Sequence, residues 1–219
     1  LVPSVKSAIE AKHIHEISPH NPLTIIDLGC GHAYLTFAAH RYFNSIGIPV
    51  RVIGVDIRES SRERNERIAC NLGISSTMEF RAEEIAENSI ESSDVAIALH
   101  ACDTATDDAI AWAVNRNVPV ALFAPCCHHD IQAQMNQTPE PWSLITRSGL
   151  MKERLADLIT DALRMQLMKL RGYRVEAIEF IGGEHTPRNL MIRSVLTGAP
   201  HSKEDEARYK EMITEWGIK

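Results

Sequence analysis

The sequence lacks the features that would place it in a membrane, outside the cell or on a nucleic-acid backbone. It has no apolar run of about 18 residues, so we expect no membrane span and no membrane partner. Its beginning, Leu1-Val2-Pro3, has no basic region leading into an apolar stretch, so we expect no secretion signal. Cysteines are few and odd in number, five in all, which favours reduced thiols and a cytoplasmic protein.

Excess positive charge is also missing. The chain has 23 Lys and Arg against 29 Asp and Glu, a net charge of −6, whereas nucleic-acid binders usually carry a basic face. One local cluster of arginines alternates with glutamates, and we interpret it as a solvated helix face. Its basic members are Arg58, Arg62, Arg64 and Arg67.

Apolar runs alternate with helical patterns along most of the chain. Strands are predicted at 24–28, 51–56, 78–81, 94–99, 118–124, 173–181 and 189–196. Helices are predicted at 33–43, 59–72, 104–115 and 149–171, with a helical lead-in at 1–22 and a C-terminal helix at 201–219. In the helix over 149–171 we expect one buried face, formed by Leu155, Leu158, Ile159, Ala162 and Met165.

This alternation predicts an α/β fold over residues 23–200. The sheet is expected to be doubly wound, seven-stranded and mostly parallel, covered by helices on both faces. A short loop joins the last two strands, which predicts one antiparallel strand. Ligands are then expected at the carboxyl ends of the parallel strands.

The first of these strand ends carries Asp27-Leu28-Gly29-Cys30-Gly31, directly before a helix. Glycines there allow a sharp turn and close approach of a ligand, and an acid ending the second strand, Asp56, can accept hydrogen bonds from ribose hydroxyls. A dinucleotide fingerprint would need a third glycine where Tyr34 stands, and the charge of Asp27 suits a cationic amino acid better than a pyrophosphate. We therefore predict S-adenosylmethionine (SAM), with NAD or a purely structural turn as alternatives.

Further cofactor contacts are expected from the residues around these strand ends. Glu83 or Glu84, after the third strand, could reach the adenine amine, although a solvent-facing acidic turn is an equal alternative. The predicted SAM-binding residues are Asp27, Gly29, Cys30, Gly31, Asp56, Ile57, Glu83 and His100.

The fourth strand ends in His100-Ala101-Cys102-Asp103, beside the expected methyl group. The Asn/Asp-Pro-Pro-Tyr/Phe motif that holds a planar base amine is absent there, which disfavours N-methylation of adenine or cytosine. His100 is interpreted as a contact to cofactor or substrate, with a local hydrogen bond at the helix start as the alternative.

Pro125-Cys126-Cys127-His128-His129 follows the fifth strand. Adjacent ligands cannot easily wrap one zinc ion, so we expect no metal. A structural turn and a substrate-site role both stay open. In the second case His128 or His129 could act as a general base, because a neutral imidazole can take a hydroxyl proton.

The loop from Glu184 to Asn189 is rich in polar side chains and could close over a substrate. Arg188 would then be available to a phosphate or carboxylate, and a plain surface loop is the alternative. The predicted acceptor-side residues are His100, Cys102, Asp103, Cys127, His128, His129 and Arg188.

Two of these motifs resemble those of a known family. Leu99–Asp107 together with Cys126–His129 is similar to the paired motifs of the eukaryotic tRNA ribose 2′-O-methyltransferases of the Cys-Cys-His-His type and of the methyltransferase-like family around them. Lys12–Ile17 and His185–Asn189 resemble further segments of that family, and Asp103 stands where the tRNA enzymes usually have glycine.

This resemblance covers roughly residues 10–197 and implies a Rossmann-like class I methyltransferase fold. It also implies transfer of a methyl group from SAM to RNA, with the ribose 2′-hydroxyl as the favoured acceptor. With a net charge of −6, tRNA or rRNA would be bound through an additional segment or partner. A small-molecule or protein methyltransferase and a non-catalytic SAM-binding module are the alternatives.

Overall fold

The computed structural model describes residues 2–11, 13–99, 101–126, 128–179 and 189–219. The strands are β1 Leu23–Leu28, β2 Val50–Asp56, β3 Met78–Ala82, β4 Val95–Ala98, β5 Val120–Phe123, β6 Tyr173–Glu179 and β7 Leu190–Leu196. The helices are α1 Val2–Glu10, α2 Tyr34–Ser45, α3 Glu59–Asn71, α4 Thr104–Asn115, α5 His129–Gln134, α6 Ser143–Thr146, α7 Gly149–Leu170 and α8 Lys203–Trp216.

The described strands form one sheet of seven in the order β3-β2-β1-β4-β5-β7-β6. All neighbouring pairs from β3 to β5 are parallel, and β7 runs antiparallel to both β5 and β6. The predicted Rossmann-like doubly wound sheet with one antiparallel strand is confirmed. Chain order reverses between β1 and β4, which is where such sheets open a crevice for ligands.

Both faces of the sheet are covered, which explains the continuous apolar runs in the strands. Neighbouring residues of β1 point to opposite faces. Ile25 packs with Phe43 of α2 on one face, and Ile26 belongs to the cluster around Trp112 of α4 on the other. Side chains of α1, including Val5, join the α2 face, so the first helix packs against the sheet rather than standing apart from it.

The expectation for the long helix α7 was partly wrong. Leu158, predicted on its buried face, is 66% exposed, whereas the polar residues Thr160, Asp161 and Arg164 are buried. The helical lead-in is also shorter than expected, because α1 ends at Glu10. A polar buried face on α7 means that this helix packs against polar groups as well as against an apolar core.

The C-terminal helix α8 packs beside α7. Its buried Trp216 joins Met135, Ile159 and Leu163 in a separate apolar cluster. Within the described ranges, no helix has the length and apolar character needed to cross a membrane.

Candidate functional site

The turn between β1 and α2 is folded tightly against the end of β2. Gly29 and Gly31 have φ angles of +79° and +51°, a region that favours glycine. The amides of Gly29 and Cys30 both donate to the carbonyl of Val55, at 2.8 and 2.9 Å. The motif thus forms a compact backbone cradle at the crevice.

Asp27 lies beneath this cradle and is buried. Burial raises the pKa of its carboxyl to about 7, and the nearby charge of Asp56 adds to the rise. The hydroxyl of Thr36, in the first turn of α2, donates to Asp27 Oδ2 at 2.6 Å, and this hydrogen bond lowers the pKa of Asp27. A bound ammonium group would favour the carboxylate form, so the site suits the cationic amino-acid part of SAM.

Asp56 ends β2 and faces the same cradle. The Gly31 amide donates to its Oδ2 at 2.9 Å, and the amide and Nε of Arg58 donate to its Oδ1 at 3.0 and 2.9 Å. Burial alone would raise the pKa of Asp56, but the Arg58 and Gly31 hydrogen bonds hold it below its usual value. In this arrangement Arg58 occupies the oxygens that were predicted to accept the ribose hydroxyls.

Arg58 is the cofactor-side residue that the sequence interpretation missed. The helix-face interpretation holds for Arg62, which pairs with Glu59 and Glu66 along α3. Arg58 instead precedes α3 and forms an ion pair with Asp56 across two residues. Its side chain is 59% exposed, so it can swing away from Asp56 without crossing the core.

Two adjoining cavities meet at the glycine turn. One, of about 330 Å³, is lined by Asp56, Ile57, Glu83 and Cys102 together with both glycines. The other, of about 270 Å³, is lined by Asp27, Cys30 and Leu99. Every predicted SAM-binding residue that the structure describes therefore lines one of the two.

Among the predicted SAM-binding residues, Glu83 and Cys30 also make contacts within the protein. The Glu83 carboxylate accepts hydrogen bonds from the amide and hydroxyl of Ser89, at 2.8 and 3.0 Å, which fixes it at the cavity edge. Cys30 is buried beside Phe80, and burial raises the pKa of its thiol far above the usual range. Cys30 is therefore a packing residue whose backbone serves the cradle.

The acceptor-side motifs follow two neighbouring strands. Ala98 of β4 pairs with Phe123 of β5, so the segments after both strands emerge side by side. Cys102 Sγ lies 2.7 Å from Cys126 Sγ, and Cys102 also lines the larger cavity. The structure thus brings the two motifs into contact beside the cradle. Three predicted residues, His100, Cys127 and Arg188, lie outside the described residues.

His128 turns away from this crevice. It is buried, with Nε2 2.9 Å from Asp161 Oδ1 and Nδ1 3.2 Å from Asp157 Oδ1, both on α7. With each ring nitrogen beside a carboxylate, His128 anchors the segment to α7, as the structural-turn interpretation expects. His129 begins α5 and is exposed, and it stays the open candidate for the predicted general base.

Asp103 has a backbone conformation that favours glycine, with φ +55° and ψ −125°. Its carbonyl accepts from Arg164 Nη2 at 3.0 Å, and its Oδ1 accepts from the Asp130 amide at 3.2 Å. The side chain therefore faces the start of α5 rather than the cofactor cradle.

Arg164 connects these acceptor-side groups. It is 4% exposed and donates to Asp107 Oδ1 and Oδ2 at 2.7 and 2.8 Å, and to Asp161 Oδ1 at 3.3 Å. Asp161 in turn faces His128. One polar network thus joins α4, α7 and the segment after β5, and sequence reasoning missed it. The i, i+3 spacing of Asp161 and Arg164 was the available signal.

Metal binding finds no support in this part of the chain. Among the described side chains, no group of three or more His, Cys, Asp or Glu is arranged to hold an ion. His100 and Cys127 lie outside the described residues, so the absence of zinc stays a prediction.

Comparison with known proteins identifies the family of this chain. A family model described as a methyltransferase domain matches residues 3–134, more than half of the chain. Among curated proteins, none matches this sequence.

Two solved structures illustrate the shared fold. The geranyl diphosphate C-methyltransferase of Streptomyces coelicolor A3(2), solved with S-adenosyl-L-homocysteine, is 13% identical with a TM-score of 0.55, over 87% of this chain and 79% of its own. The ribosomal protein L11 methylase of Lactobacillus delbrueckii subsp. bulgaricus is 14% identical with a TM-score of 0.50, over 90% of this chain and 78% of its own.

The family match agrees with the site. The glycine cradle, the buried Asp27 beneath it and Asp56 at the end of β2 lie together as predicted for a SAM site, and SAM is the cofactor. The chain therefore belongs to the methyltransferase-domain family and is a SAM-dependent methyltransferase of the class I fold.

Proposed function

We propose that this enzyme methylates RNA, with the ribose 2′-hydroxyl as the preferred acceptor and tRNA or rRNA as the substrate class. The observation that carries this proposal is the contact between the two motif segments, Cys102 against Cys126, at the edge of the cofactor cavity. These are the segments that resemble the paired motifs of the tRNA ribose 2′-O-methyltransferases. Their meeting point is where an acceptor would approach the methyl group.

SAM supplies an electrophilic methyl group, so the protein's task is to align the acceptor and exclude water. A ribose hydroxyl is a poor nucleophile until it loses its proton. We assign that proton to His129, which is exposed at the start of α5, and a positioned base of this kind contributes about 10²–10⁴-fold to rate. His100 and Arg188 remain predicted contacts to the methyl region and to a substrate phosphate.

On the cofactor side, Asp27 would hold the ammonium group and Asp56 the ribose hydroxyls. For that, the guanidinium of Arg58 has to release Asp56 Oδ1 and Oδ2, which it contacts at 2.9 and 3.2 Å. The exposed position of Arg58 allows this exchange. Glu83 and Ile57 line the same cavity and would border the adenosine.

An acidic surface around the crevice bears on how RNA would be held. Asp56, Glu83, Glu84 and Asp108 all line the larger cavity, and the whole chain carries a net charge of −6. Phosphate contacts would therefore come from an additional segment or a partner. A cytoplasmic location stays our expectation from the cysteine count.

The same acidic lining favours a second candidate, a cationic acceptor on a protein or a small molecule. The similar solved structures are named for a ribosomal protein and for geranyl diphosphate, so the fold is used for protein and for small-molecule acceptors, although geranyl diphosphate is an anion. Neither is evidence of the acceptor used by this chain, because the similarity extends to the fold alone.

The deciding experiment is transfer of a radiolabelled methyl group from SAM into separated cellular RNA, protein and metabolite fractions. We expect label in RNA and, after nuclease digestion, in 2′-O-methylated nucleosides. The Asp56→Ala variant is the control, and it should lose about 1–3 kcal/mol of SAM affinity with a parallel loss of label. Label confined to protein or metabolites would overturn the RNA proposal and support the second candidate.

A further inference from the structure

We propose that Cys102 and Cys126 are a peroxide-sensitive pair that forms a reversible disulfide across the acceptor side of the active site. The chemistry of the pair stands on its own geometry. Its effect on catalysis rests on the proposed function, because it assumes that the acceptor enters between these two segments.

The two sulfur atoms are already in contact. Cys102 follows β4 and is exposed, Cys126 follows β5 and is half-buried, and their Sγ atoms are 2.7 Å apart. A disulfide holds its sulfurs about 2 Å apart and tolerates only a narrow range of backbone separations. β4 and β5 are hydrogen-bonded neighbours as far as Ala98 and Phe123, so the segments that carry the two cysteines leave the sheet side by side. From 2.7 Å, the sulfurs need to approach by less than about 1 Å to form the bond.

The other described cysteines provide contrast. Cys30 is buried, and burial raises the pKa of its thiol, so it forms little of the thiolate that peroxide attacks. Cys70 is exposed near the end of α3, away from the crevice. It is therefore a matched control, with exposure like that of Cys102 but without an adjacent sulfur.

The reaction balances with hydrogen peroxide as the oxidant. The thiolate of one cysteine attacks a peroxide oxygen, the O–O bond breaks, and a sulfenic acid and one water form. The second thiol attacks the sulfenic sulfur, the S–S bond forms, and a second water leaves. Two thiols are thus oxidised and one peroxide is reduced to two waters. A thiol reductant reverses the bond by exchange.

The bond would act on the acceptor and spare the cofactor. Cys102 lines the larger cavity, so tying it to Cys126 joins the two acceptor-side segments at the cavity wall. The groups that hold SAM, Asp27 and Asp56, lie on β1 and β2 and take no part in the bond. A misplacement of about 1 Å in such a site can cost about 10²-fold in rate, so we expect a loss of that order in methyl transfer with SAM affinity retained.

The first test is chemical and needs no substrate. The full chain is treated with hydrogen peroxide, remaining thiols are alkylated, and the peptides are mapped by mass spectrometry. We expect a peptide pair joined through Cys102 and Cys126, absent from Cys126→Ser and present in Cys70→Ser. A map in which Cys102 stays a thiol, or joins Cys127 instead, overturns the proposal.

The second test measures how the disulfide changes SAM binding and methyl transfer. Reduced and oxidised samples of each variant are compared with one another for SAM binding by calorimetry and for methyl transfer into the labelled fraction. Wild type and Cys70→Ser should lose transfer on oxidation and regain it with reductant, whereas Cys126→Ser should give equal rates in both samples. Unchanged transfer by fully disulfide-bonded enzyme overturns the regulatory part. If the reduced wild type transfers no methyl group, that result counts against the proposed function. The peptide map still decides whether the disulfide forms.

Discussion

The cofactor side and the acceptor side of this crevice are built in different ways. Cofactor-side contacts join residues that belong to recognisable strand ends, such as Gly31 with Asp56, 25 residues later. Acceptor-side contacts depend on a helix much further along the chain, since Asp107 and Arg164 are separated by 57 residues. The comparison teaches that a ligand cradle can be encoded in short motifs, whereas the surface presented to the acceptor depends on how α7 packs.

The largest expected effect separates the two acceptor-side histidines. His129→Ala should lower turnover by about 10²–10⁴-fold with SAM affinity and Tm nearly unchanged, because the predicted base is exposed at the start of α5. The measurement is single-turnover methyl transfer beside calorimetric SAM binding.

His128→Ala is the matched control for that experiment. It removes a buried ring that faces Asp157 and Asp161, so its main effect should be a lower Tm with activity per folded molecule preserved. Full activity in His129→Ala would remove the general-base assignment.

Next in size is the loss of the network around α7. Arg164→Met keeps the apolar stem of the side chain but removes the cation beside the buried Asp161, which costs about 3–5 kcal/mol in comparable buried pairs. Urea unfolding should report this as a lower midpoint, with SAM affinity of the folded protein nearly unchanged. Arg62→Met, at a surface ion pair on α3, is the control and should leave the urea midpoint nearly unchanged.

The pH dependence of cofactor binding tests the cradle. Asp27 has a pKa of about 7 before SAM binds, so its carboxylate form, which the ammonium group needs, becomes dominant only above that pH. SAM affinity should therefore rise about tenfold, equivalent to about 1.4 kcal/mol, between pH 6 and pH 8. Calorimetry with Asp27→Asn should give a flat profile, and a flat profile in the wild type would contradict the assignment.

The same group has the opposite effect on the stability of the enzyme without SAM. A carboxyl with a raised folded-state pKa stabilises the fold below its unfolded value of 3.8, and that contribution is lost as pH rises through about 7. Asp27→Asn should remove this pH-dependent loss of folding stability. The measurement is urea unfolding of the two proteins from about pH 4 to about pH 8, the range that spans the unfolded and folded pKa values.

The smallest expected effect concerns Arg58. Replacing it with alanine removes the group that competes with ribose for Asp56, and an exposed ion pair of this kind is worth up to about 1 kcal/mol. SAM affinity should therefore rise by a few-fold at most. A clear loss of affinity would mean that Arg58 binds the cofactor directly and would bring it into the cradle as a ligand.

Much of the architecture could be predicted from the sequence because its signals are local. Buried strands appear as apolar runs, Gly29 and Gly31 mark the turn after β1, and a short loop indicates the antiparallel pair β6 and β7. The short helices α5 and α6 were not predicted, because spans of 6 and 4 residues show no helical period.

The sequence by itself determined the α/β sheet, the SAM cradle and the order of the strand-end motifs, since each depends on neighbours within a few residues or on periodicity. Only the tertiary structure decided that His128 faces α7, that Arg58 covers Asp56 and that Cys102 meets Cys126. The physical reason is that burial and charge pairing act between surfaces that meet only after folding. In the sequence Arg164 is an ordinary helix residue, and its role follows only from the folded contacts with Asp107 and the carbonyl of Asp103.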